Sequence, residues 1–407
     1  MHERDAVITG IGLISCLGEG PDAHRAALDA PGGFAPVVDA TSYAPYPVHP
    51  IVELAWDKQI PKRQDQRQME AWQRIGTYAA GAALEHAGVK GNAELLSRTH
   101  MIVAAGGGER DAAVDAAILS GLPKAENPAA FLNERLLTDL RPTLFLAQLS
   151  NLLAGNISIV HGVTGASRTF MGEEQAGADA VRIAAARLAE GSSRIALVGG
   201  AYSAARWDML LLYHAGGLLR HQTQGAPWAP VFSREDAPGA VTGTQAAFLV
   251  LETEAGARAR GAKGLARLGA IATGQARRTP ADPGHEAMAQ AFRRIAPRLA
   301  PGRLPVISGC TGATAATVLE REVLGGLYQP LAVRATGSRI GWGVEATFPA
   351  NVALAALCLS EGVFPAPMEA LEAPLDGVPA DILVTGFAAW RGEAMAHLAA
   401  IPAEAQP

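Results

Sequence analysis

Six short apolar runs constrain the fold of this chain more than any other feature. They are Ala6-Val7-Ile8-Thr9 (closed by Gly10), Met101-Ile102-Val103, Ile195-Ala196-Leu197-Val198, Ala247-Phe248-Leu249-Val250-Leu251, Pro305-Val306-Ile307 and Ile382-Leu383-Val384. Most are apolar on consecutive positions, the pattern of strands covered on both faces. Helical patterns lie between them, over residues 69–87 (closed by Gly88), 173–189 (closed by Gly191), 287–299, 313–324 and 345–359. Pro349 falls within the first turns of the last, which leaves its start open. Strands alternating with helices predict an α/β architecture around a buried sheet.

The bulk numbers bound the class. A chain of 407 residues has room for one large α/β domain or two ordinary ones. Hydrophobic content of 49% with 18% charge suits a large core, and only 5% aromatics implies close packing through small side chains. A net charge of −5 gives no electrostatic case for nucleic acid or an anionic membrane. The three cysteines, Cys16, Cys310 and Cys358, are far apart with no CxxC pair, so neither a disulfide framework nor a zinc site is expected. A reducing cytoplasm is the expected compartment. The opening MHERDAVITGIG lacks the apolar core of a signal peptide, and no apolar run reaches the roughly 18 residues of a membrane span.

Two faint echoes run through the chain. SRIALVGGAYSA and ADILVTGFAAW both read as strand, small-residue turn and bulky group; DAVITGIG and LPVISGCTG both read as strand and Gly-rich turn. They fit a duplicated fold. Residues 221–245, rich in Pro and Gly, read as a surface loop, and the tail after Ile401 as disordered.

The stretch RTFMGEEQAGADAV, residues 168–181, turns sharply into a helix and places Glu173 and Glu174 at the junction. Such a turn is where many enzymes mount a nucleophile. Here it carries acids.

The order of segments resembles the β-ketoacyl-acyl carrier protein synthases of the thiolase superfamily from end to end. The text that carries it is VITGIGLISCLGEG, RQMEAWQRIGTYAAGAALEHAGV, NLLAGNISIVHGVTGASRT, RIALVGGAYSA and PVFSREDAPGAVTGTQAAFLVLE. No single motif decides; their collinear order does. The resemblance implies a thiolase-like α/β fold of two βαβαβαββ halves in a five-layer α-β-α-β-α arrangement. The halves would be residues 1–255 and 256–407 of one integrated unit, working as a dimer.

That family's chemistry needs a cysteine at a helix start, its thiolate favoured there, two histidines and a lysine. Counted without a gap from His161-Gly162, the nucleophile position falls on Glu174; a one-residue shift would bring Gln175 there instead. The text Ile307-Ser308-Gly309-Cys310-Thr311 puts Cys310 at the first histidine. In Ala335-Thr336-Gly337-Ser338-Arg339-Ile340-Gly341-Trp342, Gly337 replaces the lysine and Trp342 the second histidine. Near the end, the family's Gly-rich turn reads Gly386-Phe387-Ala388-Ala389-Trp390-Arg391.

This pattern resembles the chain-length factors, or KSβ subunits, of type II polyketide synthases. These lack the nucleophile and pair with an active ketosynthase, KSα. The resemblance implies a catalytically silent subunit, in a divergent branch of polyene type, that pairs with a KSα and shapes the elongation tunnel. It implies no cofactor for this chain; the partner would use phosphopantetheine thioesters on an acyl carrier protein. Residues 141–148, including Leu144, Phe145 and Gln148, with the preceding 111–131, would form a steric chain-length gate. Trp342 would plug the vestigial acyl site, with Phe387 helping or serving as ordinary core.

Other readings stand beside these. Glu174 could be a base with a raised pKa; carboxylates favoured by the helix dipole, or simple pocket filling, are preferred. Cys310 could be a relocated nucleophile; an inert buried thiol is preferred. His161 reads as structural, and Gly106-Gly107-Gly108 as a tight turn rather than a phosphate cradle. Arg63, Arg67 and Arg74 could face an acidic carrier protein or be an ordinary solvated face. Two rival functions are a homodimeric decarboxylase or acyltransferase using Glu174 or Cys310, and a non-catalytic acyl-chain or protein-binding member of the fold.

Overall fold

A computed structural model describes residues 6–28, 35–141, 144, 148–221, 228–234, 238–278 and 284–402. Ten strands run in one continuous order: β1 (Ala6–Ser15), β2 (His100–Ala104), β3 (Ser167–Phe170), β4 (Ile195–Tyr202), β5 (Gln245–Thr253), β6 (Ala266–Gly274), β7 (Leu304–Ser308), β8 (Leu331–Ala335), β9 (Asp381–Phe387) and β10 (Glu393–Ala399). Their spatial order is β8-β7-β9-β10-β6-β1-β5-β4-β2-β3.

The two halves repeat. Within β1–β5 the third strand lies beside the second, then the fourth, fifth and first; β6–β10 follow the same order. Strand directions repeat too: three parallel strands, then an antiparallel pair. The halves meet edge to edge, Ala6 pairing Leu268 and Ile8 pairing Ala266 in antiparallel register. Of the two echoes in the sequence, the first joins β4 and β9, which are equivalent. The second joins β1 and β7, which are not.

The helices complete βαβαβαββ in each half. They are α1 (Ala71–His86), α2 (Ala112–Gly121), α3 (Pro128–Thr138), α4 (Leu152–His161), α5 (Glu173–Glu190), α6 (Trp207–Ala215), α7 (His285–Ile295), α8 (Thr314–Leu327) and α9 (Thr347–Glu361). Helices α5 and α9 form the central layer, packed on strands of both halves. Every residue of α9 from Thr347 to Leu359 is buried, which explains a pattern apolar all round. Helices α1 and α4 cover the first sheet outside, α7 and α8 the second. Small residues set the spacing. A Cβ on Gly177 of α5 would stand 2.4 Å from the Glu345 carbonyl.

The structure corrects four expectations. Gly10 does not close β1, which runs on to Ser15; Gly10 and Gly12 instead admit the backbone of α1, a Cβ on Gly12 falling 1.9 Å from the Ala79 oxygen. Strands β3, β6, β8 and β10 went unread because SRTF is polar and EAMAHLA has helix-forming composition; sheet pairing overrides both. Residues 221–245 are not a surface loop throughout. Val231, Phe232, Arg234 and residues 240–245 are buried. The Arg234 guanidinium ties them to the second half, donating to Ala229 O, Gly239 O and Thr311 O at 2.9–3.0 Å and to Gly337 O at 3.5 Å. Pro349 is the third residue of α9, in a first turn that needs no donor there. The tail 403–407 lies outside the described residues. Among the described residues no helix is long and apolar enough to cross a membrane.

Candidate functional site

The turn from β3 into α5 is strained. Gly172 has φ 135° and Glu173 φ 56°. A non-glycine residue in the left-handed region costs about 1–2 kcal/mol and persists only where its surroundings fix it. The next residue, Glu174, points inward and is buried. Its Oε1 accepts from the backbone N–H of Ala389 at 3.3 Å, while Oε2 is buried without a donor. Burial pushes its carboxyl up to about 7, against the pull of two backbone donors and the Arg278 charge.

A second buried carboxylate, Glu345, lies beside it. It follows Val344, among the described residues the other non-glycine one with positive φ (44°), in the turn that opens α9. Burial again is the main cause lifting it to about 7, with Glu174 and Glu173 adding repulsion and Arg206 opposing. Its carboxyl fills the place a side chain on Gly106 would need, 2.7 Å from that Cβ. Gly106-Gly107-Gly108 is irregular chain rather than the tight turn expected. The carbonyls of Gly107 and Gly108, not their amides, are engaged, accepting from Arg206 at 3.1 and 2.7 Å.

The space at Glu174 is nearly filled. A cavity of about 10 Å³ is lined by Glu174, Gln175, Ala178, Gly309, Thr347, Phe348, Gly386, Phe387, Ala388, Gly392 and Ala394. That is about the room of one water molecule. Arg278 packs against lining residues of this cavity. Its guanidinium lies 4.3 Å from the Phe387 ring centroid, donates to Ala389 O at 3.0 Å and Gly392 O at 3.3 Å, and pairs with Glu393 at 3.5 Å.

The four replaced positions do not all converge here. Glu174 is at the cavity. At the histidine turn the lining residue is Gly309. Cys310 faces another pocket, with Glu320, Ser308 and Phe232, because successive residues leaving β7 point to opposite sides. Burial, with the Glu320 carboxyl beside it, pushes its thiol well up, away from a nucleophilic thiolate. Gly337 lies against Cys310; a Cβ on it would come 2.6 Å from the Cys310 oxygen. Trp342 does not line this cavity; it packs tilted against Tyr213, centroids 4.6 Å apart, and Tyr213 against Trp390 at 5.8 Å. Phe387 and Phe348 line the cavity.

The expected gate is partly described. Leu144 is half-buried, Gln148 is exposed and donates to Glu109 O, and Phe145 lies outside the described residues. Arg141 pairs with Glu70, which caps α1. In α2 only Ile118 is buried, and α3 buries no residue; Leu119 and Leu137 are 71% and 75% exposed. None of the described gate residues lines the Glu174 cavity. His161 is structural, its Nε2 donating to Thr77 O at 2.8 Å. Cys16 and Cys358 are core. Arg63 and Arg67 are exposed; Arg74 is half-buried over Trp56.

Sequence reading missed Glu345, Arg278 and Phe348. Glu345 did leave a signal, as the lone charge in GWGVEATFPANVALAALCL.

Residues 3–257 match the β-ketoacyl synthase N-terminal domain, well over half of the chain. The chain belongs to the β-ketoacyl synthase family. It is 26% identical over 271 residues to 3-oxoacyl-(acyl-carrier-protein) synthase 2 of Vibrio cholerae, covering 65% of this chain and 61% of the relative. It is 30% identical over 236 residues to the tetracenomycin polyketide synthase ketoacyl synthase beta subunit of Streptomyces glaucescens, covering 56% and 57%. The chain thus spans about three-fifths of the length of these curated relatives. Among solved structures, the ishigamide ketosynthase/chain length factor superposes with a TM-score of 0.79 over 98% of this chain and 100% of that one, at 21% identity. That likeness establishes the thiolase-like ketosynthase fold.

Proposed function

We propose that this chain is a chain-length-factor-type subunit, silent in catalysis, that pairs with an active ketosynthase and shapes the tunnel in which a carrier-bound chain grows, in a polyene-type pathway. The observation that carries the reading is the site at the start of α5. A buried carboxyl stands where a ketosynthase needs a thiolate, in a cavity of about 10 Å³. A carboxyl is a poor thioester acceptor, and among the described residues no histidine lines that space. The same closure speaks against a decarboxylase or acyltransferase working at Glu174. Cys310, protonated and turned elsewhere, offers no substitute.

Similarity to a KSβ subunit and to a ketosynthase/chain length factor structure supports the subunit role. So does the surface. Helices α2 and α3 expose Leu119, Leu132, Leu136 and Leu137, and β3 ends the sheet with one edge unpaired among the described residues. Uncovered leucines and an open edge are what a partner surface would bury. The active partner would supply the Cys-His-His set and take its substrates as phosphopantetheine thioesters on an acyl carrier protein. The test is capture of the tagged chain from its host with intact-mass analysis. A stoichiometric ketosynthase bearing that set is expected; a clean homodimer without one would overturn the reading.

A further inference from the structure

A cavity of about 360 Å³ opens in the first half, apart from the Glu174 site. Its walls come from residues 39–56, the start of α1 and the turn after β4. They are mostly apolar, with Tyr43, Ile51, Trp56 and Ile75 prominent. The volume lies near the lower end of small-molecule sites.

One cation stands in the wall. Arg74 lies over the Trp56 ring, 5.4 Å from its centroid. Its Nη2 donates to Met69 O at 3.2 Å, but its Nε–H is buried without an acceptor. The acids at hand are engaged elsewhere. Glu70 pairs with Arg141. Asp39 accepts from Thr41 and Ser42, 2.9 Å from each backbone nitrogen. A guanidinium over an indole in a cavity wall, paired with no acid among the described residues, is an incomplete oxyanion site. Its planar fork matches a carboxylate.

We propose that this cavity binds a small amphipathic carboxylic acid, its carboxylate on Arg74 and its hydrocarbon body against Trp56, Tyr43, Ile51 and Ile75. The charges in the described wall are Arg74 and Asp39, the latter taken up by its own turn, so one cation in a mostly apolar wall selects a monoanion with an apolar tail over a phosphate, which would call for further donors. The volume suits a medium chain rather than a long one. A thioester of a monocarboxylic acid lacks the carboxylate, so the ligand is the free acid and not a carrier-bound fatty acyl group. This inference does not depend on the subunit assignment.

The test is calorimetric titration of the full chain, with any partner that co-purifies, using decanoate and methyl decanoate. Decanoate is expected to bind saturably, and methyl decanoate at least tenfold more weakly. Arg74→Gln should weaken decanoate at least tenfold and leave the ester unchanged. Ala71→Phe, at an exposed position in the cavity wall, should block both ligands without touching the core. Thermal melts confirm that both variants fold. Absence of saturable decanoate binding, equal affinity for the ester, or wild-type affinity in either variant would overturn the proposal.

Discussion

Glu174 and Glu345 occupy corresponding places in the two halves. Each follows a non-glycine residue held at positive φ, and each sits where the chain turns into a central helix. Burial lifts both to about 7 in the fold against 4.5 in the free side chain, and the Glu174 charge adds to the rise at Glu345. A carboxyl with a raised folded pKa favours folding in full below pH 4.5, and that contribution is lost as pH rises through about 7. Taken singly, each shift corresponds to about 3 kcal/mol; coupled, the two titrate as a pair. These two carboxyls should therefore lower the urea midpoint between pH 5 and pH 8, against the opposite pull of His24, His49 and His161, which burial holds below the ordinary histidine pKa. Glu174→Gln and Glu345→Gln should each flatten the fall and be relatively stabilised at pH 8. Glu109, Glu320 and Glu372, also raised by burial, would leave a residual slope. A wild-type slope in both variants would refute the assignment of these two carboxyls.

Restoring a thiol should not restore an enzyme. In Glu174→Cys the new side chain would face a nearly filled cavity with no imidazole in its lining. Neither thiolate formation nor oxyanion stabilisation is provided for. Incubation with an acyl thioester of pantetheine should leave the intact mass of this variant unchanged. Stoichiometric acylation would show that the site opens and keeps chemistry.

How much of this was legible in the sequence depends on what each residue faces. Strands such as β5 and helices such as α9 announced themselves because burial on every side leaves continuous apolar text. Strand β10 did not, because Glu393 and His397 sit within it, Glu393 paired to Arg278 and His397 to Asp381. The start of α5 was legible by counting, since spacing along one chain fixes Glu174. Cys310 was misread for the opposite reason. Motif text gives a position on the chain, but which side a side chain takes when leaving a strand depends on one residue of register. Glu345 and Arg278 were hidden because their roles come from contacts with residues far off in the sequence.

The three cysteines should be silent in the native protein. All are buried, burial raises the Cys16 thiol to about 12, and it pushes Cys310 well up too. A chromogenic disulfide reagent at pH 8 should titrate no thiol in the folded chain and three in denaturant. A fast-reacting native thiol, lost in Cys310→Ser, would revive the relocated-nucleophile reading.

Arg234 should be among the costliest polar positions. Burial and the Arg220 charge lower its pKa to about 9, against the pull of Glu369, yet it remains a cation holding four carbonyls. Arg234→Met keeps much of the volume and strands those acceptors. Each buried group left unmet costs about 1–3 kcal/mol, so a loss of at least 3 kcal/mol in chemical denaturation is expected. Proteolysis should quicken within residues 228–245. An unchanged midpoint would mean that the loop is held by something other than this guanidinium.

The leucines of α2 and α3 allow the subunit reading to be tested without disturbing the fold. Leu137 is 75% exposed on a helix that buries none of its residues, so Leu137→Glu should shift chain stability by no more than about 0.5 kcal/mol. If a ketosynthase covers this face, the charge is driven into an apolar interface and the complex should weaken at least tenfold, whereas Val378→Glu, at 73% exposure on the second half, should leave it unchanged. Analytical ultracentrifugation of the co-expressed pair separates the outcomes. A complex indifferent to Leu137→Glu would place the partner elsewhere and remove the exposed leucines from the case for pairing.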